Sequence, residues 1–322
     1  MVAPLGSRLV RTLIIGAAGM IGRKLAARLP KDDLILHDVV PFDGASVVSD
    51  LSAPGEAGKL IARRPELIFH LAAVVSGEAE SDFDKGYRVN LDGTRELFEA
   101  IRKANYKPRV VFTSSIAVFG APFPEAIGDE FLNAPLTSYG TQKAIGELLL
   151  SDYSRRGFFD GIGLRLPTIC VRPGKPNKAA SGFFSGIIRE PLAGQEAVLP
   201  VPETVRHWFA SPRAAVGFLL HAAKLDTAKL GARRNLSMPG VSATVGEQIE
   251  ALRKVAGEKT AGLIRREPDA TIMRIVEGWP RNFDTRRALA LGFRADAAFE
   301  DIIRIHIEDE VQKSSAPQPG RG

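Results

Sequence analysis

The residue types with most chemical potential are Tyr139 and Lys143, a phenol and an amine in the segment Tyr-Gly-Thr-Gln-Lys. Four positions apart on a helix, they share one face. A phenol with a pKa of about 10 is a poor base at neutral pH, and bringing it near 7 takes roughly 4 kcal/mol of preferential phenolate stabilisation. One cation about 4 Å away, at an effective dielectric near 20, supplies roughly that much. The pair could therefore move a proton at a secondary alcohol or a ketone. An exposed helical Tyr/Lys pair meets the same spacing, so the neighbours matter. Thr113-Ser114-Ser115 closes an apolar strand-like run. A hydroxyl there can hold a substrate oxygen for Tyr139 to deprotonate, although small polar residues at a strand end also serve as turn formers.

A second constellation lies near the start, where Gly16-Ala17-Ala18-Gly19-Met20-Ile21-Gly22 follows a β-branched run and precedes a helical one. Glycines there permit a tight turn and let backbone N–H groups approach a pyrophosphate, and the helix N-terminus adds its positive dipole end. Asp38 follows about twenty residues after the glycines, where an acid can accept hydrogen bonds from adenosine ribose hydroxyls and would repel a 2′-phosphate. Arg23 and Lys24 argue the other way. Two charges interact strongly in one small site, so NAD is favoured over NADP. Asp50-Leu51 could touch the adenine, and Asp50 could equally cap a helix.

These residues need a scaffold. Hydrophobic spacing predicts strands over 9–15, 34–38, 45–50, 67–72, 109–114 and 161–169. Helices are predicted over 21–29, 56–63, 87–104 and 138–156, the last with Thr137 or Ser138 as N-cap and Gly157 as its stop. Alternation of this kind predicts an α/β fold, a doubly wound, Rossmann-type parallel sheet with helices on both faces. Near-continuous apolar strands such as Val110-Val111-Phe112 agree with burial on both faces. The ligand crevice is then expected at the carboxyl ends of the strands. Residues 1–8 read as a flexible start, 9–170 as the dinucleotide-binding domain carrying the catalytic residues, and 171–310 mainly as a smaller C-terminal substrate lobe that partly returns to the core. The Ser/Pro/Gly-rich 311–322 reads as a disordered tail.

Composition narrows the classes further. The 322 residues are 45% hydrophobic and 25% charged, as in ordinary globular proteins, and the formal charge is +6. The basic residues are not clustered with aromatics as in nucleic-acid binders, and a mild positive field suits an anionic cofactor and substrate. A single cysteine, Cys170, allows neither an intramolecular disulfide nor a thiolate metal cluster. Its apolar, strand-like surroundings predict a buried small hydrophobe. No run approaches the roughly 18 apolar residues of a membrane span. The start lacks the order of a secretory signal, so a cytoplasmic protein without bound metal is expected.

Taken in order, GAAGMIG, Asp38, Asp50-Leu51, His70-Leu-Ala-Ala73, Asn90 in Val-Asn-Leu-Asp-Gly-Thr, Ser114-Ser115-Ile-Ala-Val-Phe-Gly, Tyr139-xxx-Lys143 and Leu166-Pro-Thr-Ile169 resemble the extended short-chain dehydrogenase/reductases. The resemblance implies an NAD-dependent enzyme with Tyr139 as general base in oxidation and Lys143 holding the nicotinamide ribose and lowering the phenol pKa. Ser115, counted back from Gly120, would be the catalytic serine. It further implies that Gly16, Gly19, Met20, Ile21, Gly22, Asp38, Asp50, Leu51, Thr113 and the 71–73 segment (Leu71, Ala72, Ala73) line the cofactor. Pro167 and Ile169 would meet the nicotinamide, and Asn90 would connect Lys143 to solvent. Phe119 departs from the tyrosine that many relatives carry before the glycine, which removes one hydroxyl from the site.

The polar clusters 172–178 and 203–208 could hold an anionic group or be plain surface loops. Val74-Val-Ser-Gly77, Pro176-Asn-Lys-Ala-Ala-Ser-Gly-Phe-Phe184 and Arg206-His-Trp208 look similar to a group of the family that oxidises short sugar acids of the D-erythronate kind at C2. That similarity implies substrate contacts from Ser76, Asn177 and Arg206, with Arg206 on the carboxylate, and a homodimer. A nucleotide-sugar epimerase or dehydratase using the same triad, and a non-catalytic dinucleotide-sensing module, are the alternatives.

Overall fold

The computed structural model describes residues 10–174 and 181–312. The expectations for 1–8, Asn177 and 313–322 lie outside these residues. The strand Thr12–Ile15 (β1), Thr-Leu-Ile-Ile, is buried along its whole length. A turn leads into the helix Met20–Ala26 (α1), and Leu34–Asp38 (β2) and the two-residue Val47–Val48 (β3) follow. Glu56–Ala62 (α2), Leu67–His70 (β4), Ser76–Ser81 (α3) and Phe83–Gly86 (α4) precede a π-helical turn, Tyr87–Asp92, which runs into Gly93–Ala104 (α5). Arg109–Ser115 (β5), Ser138–Arg155 (α6) and Asp160–Leu166 (β6) complete the first half.

These strands form one parallel sheet in the order β6-β5-β4-β1-β2-β3. Successive side chains point to opposite faces of a strand, and here both faces are covered. Leu13 and Ile15, with Ile68, Val110 and Phe112, pack with Leu60 of α2 and Leu97, Phe98 and Ile101 of α5. Ile14, Phe69, Val111, Ile162 and Leu164 pack on the other side with a later helix, Pro212–Lys224. Each fully buried aliphatic side chain contributes about 1.5–3 kcal/mol, which makes this sheet the rigid part on which a site can be mounted.

Several elements differ from expectation. The expected strand 161–169 is two strands. Pro167 has no N–H to give to a ladder, so β6 ends at Leu166 and Thr168–Ile169 (β7) joins a different sheet. In sequence order, Gly182–Leu192 (α7), Ala197–Leu199 (β8), Arg206–Ala210 (β9), Pro212–Lys224 (α8), Asn235–Ser237 (β10), Val241–Thr244 (β11) and Val245–Ala256 (α9) come next. The second sheet has the order β11-β9-β7, and β10 pairs with β6 as the seventh strand of the main sheet. Phe184, Phe209, Val245, Ile249, Leu252, Ile302 and Ile303 form a core of their own beneath the second sheet. Residues 311 and 312, expected to open the tail, are helical, continuing the turn Ile307–Val311.

Candidate active site

Three strand ends converge on the glycine turn. Gly16 N and Ala17 N donate to His37 O, and Leu71 N and Ala72 N donate to Ile15 O. Gly16 has φ +91°, and a Cβ on it would lie 2.6 Å from Ala72 N, so backbone occupies the space a side chain would need. Gly19 caps α1 without a side-chain hydrogen bond. The first-turn N–H groups, at Met20, Ile21 and the buried Gly22, have no partner within the helix. Asp38 Oδ2 accepts from Ala18 N at 2.8 Å and Oδ1 from Val40 N at 3.1 Å, which fixes the carboxylate at the end of β2 beside that turn. A bare backbone cradle, a free helix start and a fixed carboxylate suit the pyrophosphate and ribose of a dinucleotide. Lys24 is paired with Glu310 at 2.5 Å and Asp309 at 3.7 Å, so its charge is already matched. Arg23 Nε donates to Ala18 O.

Asp50 does not cap α2, whose N-cap is Gly55. Its Oδ1 closes a turn by accepting from Ser52 N at 2.9 Å and Ser52 Oγ at 2.6 Å, and Oδ2 pairs with Arg88. Leu51 is 7% exposed, with its side chain in the core beside Ala57 and Leu60. Among the three residues after β4, Leu71 and Ala72 stand against the glycine turn, and all three are partly exposed to the crevice.

The three residues expected to be catalytic stand around the end of β5. Ser114 is 3% exposed and its Oγ donates to Glu147 Oε1 at 2.6 Å, whereas Ser115 is partly exposed, its Oγ accepts from Ala117 N at 3.1 Å, and it lies close enough to the Tyr139 phenol to favour the phenolate. Helix α6 brings Tyr139 there. Thr137 caps it through Gly140 N at 3.0 Å, and a Cβ on Gly140 would lie 2.2 Å from Ala117 O, so only glycine lets the helix settle on the turn after Ser115. Lys143 is 3% exposed, donates to Thr113 O at 2.8 Å and stands 5.8 Å from the centre of the Tyr139 ring. Burial pushes its pKa down to about 8, while the Glu147 charge pulls it back up. Burial raises the Tyr139 phenol, opposed by the Ser115 hydrogen bond and by the charge of Arg172.

Asn90 is buried and its side chain is fully engaged. Its Oδ1 accepts from Val74 N at 2.7 Å, and Nδ2 donates to Val74 O at 3.0 Å and Gln142 Oε1 at 2.7 Å. It thus ties the segment after β4 to α6. Ser76 opens α3, just past that segment. Pro167 and Ile169 are buried beside the end of β5, where Leu166 is registered opposite Ser115. Phe119 packs against Phe131 and Phe283, with the Arg165 guanidinium 4.8 Å over its ring. Cys170 is fully buried and its thiol is pushed up to about 12 by burial.

Arg206 already has protein partners. It pairs with Glu247 at 3.2 Å, donates to Ser242 O at 3.2 Å, and lines a cleft of about 730 Å³ with Phe123, Ile127 and Arg281 that none of Ser115, Tyr139 and Lys143 lines. The sequence pattern did not point to Glu147 or Arg165, the buried pair behind Ser114, and assigned no role to His70, whose burial holds its pKa down at about 3. The helical spacing from Lys143 to Glu147 was the available signal. Among the described residues no group of three or more His, Cys, Asp and Glu could hold a metal ion, and no helix is long and apolar enough to cross a membrane.

Residues 12–231 match the NAD dependent epimerase/dehydratase family. D-erythronate dehydrogenase of Cupriavidus necator is 49% identical over 319 residues, covering 93% of this chain and 98% of that protein. D-erythronate dehydrogenase of Haemophilus influenzae is 45% identical, covering 93% and 99%. A crystal structure described as the nucleoside-diphosphate-sugar epimerase from Agrobacterium tumefaciens is 68% identical, with a TM-score of 0.90 over 94% of this chain and 95% of that one. The chain therefore belongs to the NAD dependent epimerase/dehydratase family, as an NAD-using enzyme of the short-chain dehydrogenase/reductase type.

Proposed function

We propose that this chain oxidises the C2 alcohol of a short sugar acid of the D-erythronate kind to the 2-oxo acid. The two D-erythronate dehydrogenases support the substrate class. The observation that carries the chemistry is the Tyr139 phenol beside Ser115 at the end of β5, with Lys143 one turn further along the same helix face, 5.8 Å from the centre of the Tyr139 ring. NAD, when bound, accepts the C2 hydride. Gly16, Gly19, Met20, Ile21, Gly22, Asp38 and the 71–73 segment would hold its adenosine and pyrophosphate side, with Thr113, Pro167 and Ile169 toward the nicotinamide.

Ser115 orients the substrate hydroxyl, and Tyr139 takes its proton as the carbonyl forms. Lys143 gives one N–H to Thr113 O. An ammonium has two more, which would serve the nicotinamide ribose hydroxyls, and its charge favours the phenolate. Asn90 keeps the floor of this site in place through Val74 and Gln142. The assembly is a cytoplasmic homodimer serving sugar-acid breakdown, which light scattering checks for the dimer.

The test is NADH formation from D-erythronate. The parent enzyme should accumulate NADH, and Tyr139→Phe should lose about 10²–10⁴-fold in kcat, the range for a positioned general base. The Agrobacterium structure favours a second reading, epimerisation of a nucleotide sugar. In that case the alcohol is oxidised only transiently and no NADH accumulates. Turnover of a nucleotide sugar, with none of any three- to six-carbon acid, would reverse the order of the two.

A further inference from the structure

Arg172 lies just beyond β7, where the chain has crossed from the main sheet to the second. Leu166 is registered beside Ser115, Pro167 turns the chain away, and Arg172 Nε donates back to Ile169 O at 3.2 Å, which keeps the guanidinium near the strand end. Its backbone is fastened on both sides, the N–H to Ser185 Oγ at 3.0 Å and the carbonyl accepting from Arg189 at 2.7 Å. Nη2 reaches Ser181 Oγ at 3.4 Å. The side chain is half-buried, and its charge is felt by Tyr139, His207 and Cys170.

No carboxylate among the described residues pairs with it. The remaining residues, 1–9, 175–180 and 313–322, contain no aspartate or glutamate. Arg109, Arg165 and Arg189 are also mostly buried, and each faces an acid: Asp160, Glu147 and Glu190. A guanidinium withdrawn from water without a counter-charge is costly, and its planar fork matches a carboxylate in two parallel hydrogen bonds. In a 2-hydroxy acid the carboxylate is attached directly to C2. A base acting on the C2 hydroxyl and a cation holding C1 must therefore be neighbours. Arg172, held back against Ile169 three residues past the Leu166–Ser115 register and with its charge acting on Tyr139, is placed for that role, whereas Arg206 is already paired with Glu247.

We propose that Arg172 binds the C1 carboxylate of the substrate and sets the preference of the site for an acid over an uncharged counterpart. The assignment rests on the sugar-acid reading above. The probes are D-erythronate and its uncharged C1 amide, assayed with the parent enzyme, Arg172→Gln, Arg172→Lys and Arg206→Gln. In Arg172→Gln the KM for D-erythronate should rise by about 30- to 4000-fold, the range for removing one partner of a buried charge pair. Turnover of the amide and the KM for NAD should stay within a few-fold, and Arg172→Lys should recover part of the loss.

An equal loss for acid and amide would make Arg172 merely structural. A rise in the KM for NAD alone would assign it to the cofactor, and an acid-specific loss in Arg206→Gln instead would move the carboxylate there. Any of these overturns the assignment. Arg172→Lys, which keeps the charge but not the bidentate fork, serves as the readout if Arg172→Gln does not fold. Failure of the parent enzyme to oxidise any sugar acid overturns the functional reading and this assignment together. Parent turnover of D-erythronate with an acid-to-amide preference unchanged in Arg172→Gln overturns the assignment alone.

Discussion

Ser114 and Ser115 occupy adjacent positions on β5, and the alternation of a strand sends them to opposite environments. Ser114 points inward and donates to Glu147, while Ser115 points into the crevice and reaches Tyr139. The two positions should therefore fail in different ways when truncated. Ser115→Ala removes a group proposed to act on the substrate oxygen, and kcat should fall about 100-fold with little change in the urea midpoint. Ser114→Ala leaves part of a buried carboxylate without its donor, which costs about 1–3 kcal/mol of stability, with kcat within a few-fold of the parent. Steady-state assays and urea unfolding of both variants check this, and the reverse pattern would make Ser114 the catalytic serine. Counting from Gly120 distinguishes the two in the sequence, but burial gives the physical reason.

Helix α6 is locked to β6 by the Glu147 carboxylate, which accepts from Arg165 at 2.7 and 2.9 Å and from Asn133 at 3.0 Å. Both side chains of the ion pair are nearly inaccessible, at 7% and 1% exposure. Arg165→Met should lose about 3–5 kcal/mol in urea unfolding, because it takes the guanidinium away from the buried carboxylates of Glu147 and Asp129. A loss below 1 kcal/mol would show that the pair is dispensable to the tie. The elements most legible in the sequence are those whose pattern is local. The runs that became β1, β2 and β5, the glycine turn and the long α6 all carry their signal within about a dozen residues. Helices α3 and α4, in Ser-Gly-Glu-Ala-Glu-Ser-Asp-Phe-Asp-Lys-Gly, offer almost no apolar periodicity and were not anticipated. The break at Pro167 was legible as chemistry, but the transfer of β7 to a second sheet depends on β9, some forty residues later. That transfer decides which arginine's charge acts on Tyr139, which explains why the sequence pointed to Arg206 and left Arg172 as one member of a polar cluster.

Across the whole molecule, the sheet and the second core share one vulnerability. His70 in the main sheet is 1% exposed and His207 in the second sheet 3%. Thr94 gives its hydroxyl proton to Asn90 O, so the contact at 2.8 Å requires His70 Nε2 to donate and leaves Nδ1 as the bare nitrogen, with no partner among the described residues. Burial is the main cause that lowers His70 to about 3 and His207 to about 4, and it lowers His37 and His306 as well. In the unfolded chain a histidine takes up a proton below about pH 6.5, whereas these two rings, once folded, stay neutral well below that. Their contribution is therefore complete above pH 6.5 and is lost as the pH falls toward 4. Between pH 7.5 and pH 5 each ring should cost about 2 kcal/mol of unfolding free energy. His70→Gln keeps a neutral donor for Thr94 but cannot take up the proton, so its stability should fall by about 2 kcal/mol less than that of the parent over that interval. Urea titrations of parent and variant at the two pH values measure the difference. An equal fall in both would mean that His70 is not part of the acid sensitivity, and that the main sheet yields to acid through other groups.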